Sequence, residues 1–272
     1  MQNSWETPPQ PAVAAAAQPG AMPGPAPGIS VIGGVKFAFE SPDWKTNLLF
    51  AMVLSLIPIA GPLALSGWMA ETHQRLVRRH PQPMPKFDFG DFVHYLGRGV
   101  PVFLVGLVAA LPIGIGFGVV IVAAALAGVL AGAGTQVDSL VMIAVWIAAG
   151  FCSLVCWLVM SVLLNAAQTR AELTEDFGQA LNLGKVWAYA RATWATVLVK
   201  NLIFALVAFG ILVIGMLLCY IGLYPAIAVI QMAAAHLRWQ IYEHYLREGG
   251  EPIALKPPQW LPSDAQRYQR GY

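Results

Sequence analysis

Residues 99–137 read GVPVFLVGLVAALPIGIGFGVVIVAAALAGVLAGAGTQV without one charged side chain, and residues 139–169 follow as SLVMIAVWIAAGFCSLVCWLVMSVLLNAAQT, again uncharged. Only Asp138 separates them. A helix needs about 20 apolar residues to cross the roughly 30 Å hydrocarbon core of a bilayer. Each run exceeds that length, and the short polar break between them fits a tight turn. The pair predicts two antiparallel helices in a membrane. A third uncharged run covers residues 201–237. As one helix it would be about 55 Å long at the usual rise per residue, so it has to fold back. The stretch CYIGLYP at residues 219–225 supplies the turn through Gly222 and Pro225.

Composition agrees. Hydrophobic residues make up 57% of the chain and charged residues 11%, against about 25% charged in a soluble domain. The net charge of +2 says little, but its placement is informative. All 16 Lys and Arg fall within residues 33–45, 75–98, 170–200 or 238–270. Such dispersal around apolar runs gives no basic nucleic-acid surface. By the positive-inside bias, the loops at 75–98 and 170–191 and the C-terminal segment are cytoplasmic.

A fourth run, residues 46–70, has two readings. Its 25 residues suffice for one tilted span, which gives five spans and an external N-terminus. Pro58, Gly61 and Pro62 interrupt it, however, and a hairpin with arms near residues 44–59 and 62–77 gives six spans with both ends inside. Internal similarity favours the hairpin: PLALSGWMAETHQR (residues 62–75) aligns with PAIAVIQMAAAHLR (residues 225–238). The expected fold is therefore an all-α integral membrane protein, a bundle of about six transmembrane segments arranged as three helical hairpins.

Two Asp-Phe-Gly stretches, at Asp88 and Asp176, each precede an apolar run. Each Asp suits an N-cap, with Asp91 and Gln179 three residues on as in a capping box, and each opens a short interfacial amphipathic helix. Residues 1–34, rich in Pro, Ala and Gly, read as a disordered tail and not as a cleaved signal peptide. The membrane domain is expected over residues 35–248 and a Pro-rich tail over 249–272. Cys152, Cys156 and Cys219 read as buried, unpaired thiols.

The order of these features resembles a known family. SPDWKTNLL (residues 41–49), IPIAGPLALSGWM (57–69), PMPKFDFGDF (83–92), ALNLGKVWAYAR (180–191) and AHLRWQIY (235–242) together are similar to a prokaryotic multi-span membrane family catalogued as domain of unknown function family 4013. The likeness runs over residues 37–245. It implies a multi-pass protein of a prokaryotic cell membrane and no particular activity.

Candidate functional residues are few. His73 and Arg75, and in the matching helix His236 and Arg238, stand where apolar runs end on the basic side. Arg offers paired donors to phosphate, so these four are the candidate lipid-phosphate site; simple anchoring of helix ends by snorkelling is the plainer reading. Gly114 with Gly118, and Gly128 with Gly132, form small-xxx-small faces that let helix backbones touch, within the chain or in a homo-oligomer. Lys200, Asn201, Asn165 and Gln231 are the polar groups nearest the apolar runs, and Gln231 the deepest. His236, Gln240 and His244 lack the further strong ligand that a metal site needs. No metal, cofactor or catalytic residue is expected. The reading is a non-enzymatic membrane protein that binds lipid head groups or membrane partners, with a small-solute transporter or channel component as the alternative.

Overall fold

The computed structural model describes residues 28–132, 139–218, 221–259 and 261–263, and among these the chain is helical with no strand. The elements are α1 (Val31–Glu40), α2 (Trp44–Ser55), α3 (Ala60–Val77), a 3-10 turn η1 (Phe89–Asp91), α4 (Phe92–Gly132), α5 (Ser139–Thr174), the single turn α6 (Phe177–Ala180), α7 (Leu183–Leu217) and α8 (Leu223–Arg247). The long helices pair as three hairpins, α2–α3, α4–α5 and α7–α8.

Local chemistry sets the boundaries. The Ser30 hydroxyl accepts from the Gly33 backbone N–H at 2.9 Å and starts α1. Ser41, held extended before Pro42, ends it. The first hairpin turns at residues 56–59, where Pro58 interrupts the run, and Gly61 and Pro62 fall in the first turn of α3. Ile59 sits there at φ 64°, in the left-handed region that a β-branched residue rarely visits. Gly61 is required because a Cβ would collide with the Leu54 carbonyl.

Among the described residues, three stretches are long and apolar enough to cross a membrane: Phe89–Val108, Ile143–Thr174 and Leu183–Leu217. With 12 residues, α2 is about 18 Å long, short of the full core. The expected short interfacial helices are not separate. Apart from η1 and α6, those segments are the first turns of α4 and α7. Among the described residues the short helix beside the bundle is instead α1, which begins within the stretch read as a tail; residues 1–27 lie outside the described residues.

The two halves of the bundle are built differently. Toward the charged end, Trp68, Phe87, Tyr95, Tyr189, Ile241 and Tyr242 are buried. Asn47 pins the loop after α3, accepting from Phe87 N at 2.8 Å and donating to the Pro85 carbonyl. In the other half, Ile115, Val129, Ile147, Phe151, Leu206 and Phe209 are each more than 60% exposed. Cys152 and Cys156 are exposed there too, correcting the expectation of buried thiols; Cys219 lies outside the described residues.

Helix contact falls elsewhere than on the small-residue faces. No other part of the described chain lies within 4 Å of a Cβ built at Gly114, Gly118 or Gly128, so intramolecular packing there is not found; the surroundings of Gly132 lie outside the described residues. Away from the turn at Gly61, the tightest helix–helix approach among the described glycines is between α3 and α4, with α1 and α8 also close at Gly34. A methyl group on Gly67 would strike the Tyr95 carbonyl, and one on Gly99 the Leu63 carbonyl.

Candidate functional site: a buried ion-pair network

At the charged end, the C-terminal turns of α3, α5 and α8 meet the first turns of α4. Residues 71, 75 and 78 share one face of α3 by their spacing. Arg75 Nε donates to Glu71 at 2.5 Å. Arg98 of α4 reaches both Glu71 and Glu175, the latter at 2.6 Å from Nε. Glu172, in the last turn of α5, has His73 Nδ1 at 2.6 Å and accepts from Arg238 of α8 at 2.5 and 3.1 Å. Gln74 donates to the Glu172 carbonyl and to the Glu175 carboxylate.

Glu175 stands just past the end of α5 with φ 49°, a costly conformation outside glycine. That backbone aims its carboxylate inward, where Arg98, Gln74 and Lys256 gather on it. Lys256 belongs to the segment expected to be a tail. Instead, that segment crosses the end of the bundle as a strap. Ile253 N donates to the Tyr242 hydroxyl at 2.9 Å, Lys256 N to the Leu173 carbonyl at 3.0 Å, and Arg78 to the Lys256 carbonyl. At its far end Ser263 donates twice to Asp91. Asp91 is therefore a clamp for the strap and not the partner in a capping box. Asp176 does cap: its carboxylate accepts from Gln179 N at 2.9 Å, which holds its pKa below the usual aspartate range.

Glu71, Glu172, Arg98 and His73 are all at least nine-tenths buried. Removing carboxylates from water is expensive unless cations and donors surround them, and here they do.

The candidate lipid-phosphate residues are thus brought to one end of the molecule, but they point inward. Arg75 serves Glu71, while Arg238 and His73 serve Glu172. His236 is stacked on Phe37 at 4.5 Å and lies 2.8 Å from Gln240. This arrangement corrects the picture of four groups offered to head groups, because buried carboxylates claim the guanidinium donors first. The acids were the missing half. Glu71 carried a signal, as a lone acid in an uncharged run with an arginine four residues on. Glu172 and Glu175 carried none, since their partners lie far away in sequence.

Cations that do face outward form a rim. Lys185 and Arg191 of α7 are exposed beside Trp187 at 62% and Trp194 at 57% exposure. Arg191 lies four residues after one Trp and three before the other, on the same face. Lys45 Nζ sits 5.6 Å from the Trp44 ring centroid. Lys36, Lys185 and Arg191 have no carboxylate partner among the described residues. Tryptophan with cations is the usual composition of a membrane–water interface.

The family described as Protein of unknown function (DUF4013) matches residues 50–220, more than half of the chain, and the chain belongs to it. No curated protein and no solved structure matches it.

Proposed function

We propose that this DUF4013 member is a non-enzymatic, multi-pass membrane protein that gathers anionic lipid head groups around a basic, cytoplasmic end. The observation that carries the reading is the rim: Arg191 lies exposed between Trp187 and Trp194, Lys185 lies exposed just before Trp187, and neither has a carboxylate partner among the described residues. Three helices of crossing length supply the membrane anchorage. The positive-inside bias puts the rim, the strap and the N-terminus in the cytoplasm. A non-enzymatic role fits the burial of His73, whose Nε2 has no solvent contact and no partner among the described residues.

The test is lipid retention. The full chain is reconstituted in vesicles of phosphatidylglycerol and phosphatidylcholine, extracted, and weighed by native mass spectrometry. One cation near an anionic surface is worth about 1 kcal/mol, so the double change Lys185→Gln with Arg191→Gln lowers phosphatidylglycerol retention about tenfold or more. Equal retention by parent and variant overturns the reading.

A further inference from the structure

A cavity of about 580 Å³ lies where α7, α8 and the segment leading into α1 meet. Ile29 forms one side, Thr196, Val199 and Lys200 of α7 a second, and His244 and Arg247 of α8 a third. The Ile29 side is pinned twice. Lys200 Nζ donates to the Ile29 carbonyl at 2.8 Å, and the Gln240 amide of α8 exchanges hydrogen bonds with the Ser30 backbone at 2.6 and 3.1 Å.

The cations of this lining are in excess. An ammonium has three donors, and Lys200 spends one. Arg247 spends Nε on the Glu243 carbonyl at 3.1 Å, which leaves both Nη groups. Neither cation has a carboxylate partner among the described residues. The acids of α8 are engaged elsewhere: Glu248 lies 3.2 Å from His244, and Glu243 accepts from Arg79 at 2.7 Å. Two uncompensated charges beside a Thr196 hydroxyl select a doubly charged oxyanion. A phosphomonoester carries about −1.5 to −2 charges at neutral pH, whereas a phosphodiester brings one.

Depth decides what bears that phosphate. Lys200 is the last cation before the uncharged run at residues 201–237. The part of α7 beyond it is about 25 Å long, close to the thickness of a hydrocarbon core. The cavity therefore lies where acyl chains give way to head groups. Val199, in its lining, begins an exposed apolar row that continues at Ile203 and Leu206 on the same face of α7. A lipid can lay its chains along that row, and a soluble phosphate leaves it unused.

We infer that this cavity seats the phosphomonoester head group of a lipid, with the phosphate on Lys200, Arg247 and Thr196 and the chains along Val199, Ile203 and Leu206. The inference rests on the proposed lipid-binding role and adds a second site, selective for a doubly charged head group. The rim is separate from it. Arg191 and Lys200 fall on opposite sides of α7 by the helical period and about 13 Å apart along its axis.

Phosphatidic acid and phosphatidylglycerol test it, since both are anionic lipids and only the first is a phosphomonoester. Vesicles of phosphatidylcholine hold the two in equal, low amounts, so that the tighter site fills first, and native mass spectrometry reads what the extracted protein keeps. The parent retains phosphatidic acid about tenfold over phosphatidylglycerol, as expected for charged hydrogen bonds. Lys200→Gln with Arg247→Gln brings the ratio near one, while Lys185→Gln with Arg191→Gln at the rim keeps the preference. If the first double variant does not fold, Arg247→Gln alone, at the exposed end of α8, lowers the ratio about fivefold through the loss of one cation. A parent ratio near one overturns the inference, and so does an undiminished preference in the folded double variant or in Arg247→Gln. In each case phosphatidylglycerol held at the rim leaves the proposed function standing. Retention of neither lipid sinks both. Glycerol 3-phosphate is the remaining arm. If it raises the melting temperature of the parent while phosphatidic acid is not preferred, the cavity takes a free phosphomonoester and the lipid form is wrong.

Discussion

The half of the bundle around Glu71, Arg98, Glu172 and Glu175 and the half formed by α4 beyond Leu107 with α5 before Val159 solve opposite problems. In the first, charges are turned inward and saturated by one another, and helices α3 and α4 touch at Gly67 and Gly99. In the second, large apolar side chains are turned outward, and Gly114, Gly118 and Gly128 have no other part of the described chain within contact of a Cβ. Water drives apolar surface inward, but lipid tails are as apolar as leucine and give no such drive. In this chain, helices meet where backbones fit closely and polar groups demand partners. Where neither holds, the helices simply face out.

The sharpest way to break this contrast is to unbalance the network. Arg98→Met leaves Glu71 and Glu175 short of a buried cation and costs about 3–5 kcal/mol. Leu126→Ala, on the outward surface, stays within about 0.5 kcal/mol. Detergent melts of the two variants measure both, and similar losses would erase the distinction between the halves. Next come the glycines. Gly67→Val or Gly99→Val forces α3 and α4 apart and costs roughly 1–3 kcal/mol or more, whereas Gly118→Leu and Gly128→Leu leave the monomer's melt unchanged. A clear loss at either of the latter pair would show that a second copy packs on that face.

Smaller effects sharpen the edges. Lys256→Ala removes one charged bond from Glu175 and weakens the strap by about 1.5–3 kcal/mol at most. Faster proteolysis after Gly249, with the bundle still folded, is the expected sign. The smallest change is at the first turn: Ile59→Gly relieves the positive φ, worth about 1–3 kcal/mol, against about 0.4–1 kcal/mol lost through the freer unfolded chain, so the net is a small stabilisation. A destabilised variant there would mean that the side chain itself packs on something.

Much of the frame was legible. Uncharged runs marked the long helices, Pro58, Gly61 and Pro62 marked the first turn, and Gly222 with Pro225 stood where α8 begins. The matching stretches ending at Arg75 and Arg238 do lie at the same end. Illegible was which side of each helix faces in. His73 and Arg238 look like interface anchors until Glu172 is placed beside them, and nothing local links His73 to a residue 99 positions away. The glycine stripes misled because spacing states that a close approach is possible, not that a partner arrives. Gly67 and Gly99, each without a small neighbour four residues away, gave no stripe to notice. The strap read as a tail because its binding groups are a lysine, two backbone N–H groups and a serine scattered along a Pro-rich stretch.

The contrast between the halves is tested most directly along α5, which runs through both. Spin labels placed one at a time at Ile147, Phe151, Leu154, Ala166 and Glu172 in the reconstituted protein report collisions with oxygen, enriched in lipid, and with a water-soluble nickel chelate. The account predicts strong oxygen and weak nickel contact at Ile147, Phe151 and Leu154, and little of either at Ala166 and Glu172. Strong nickel contact at Ile147 or Phe151 would place the outward apolar half in water and contradict it.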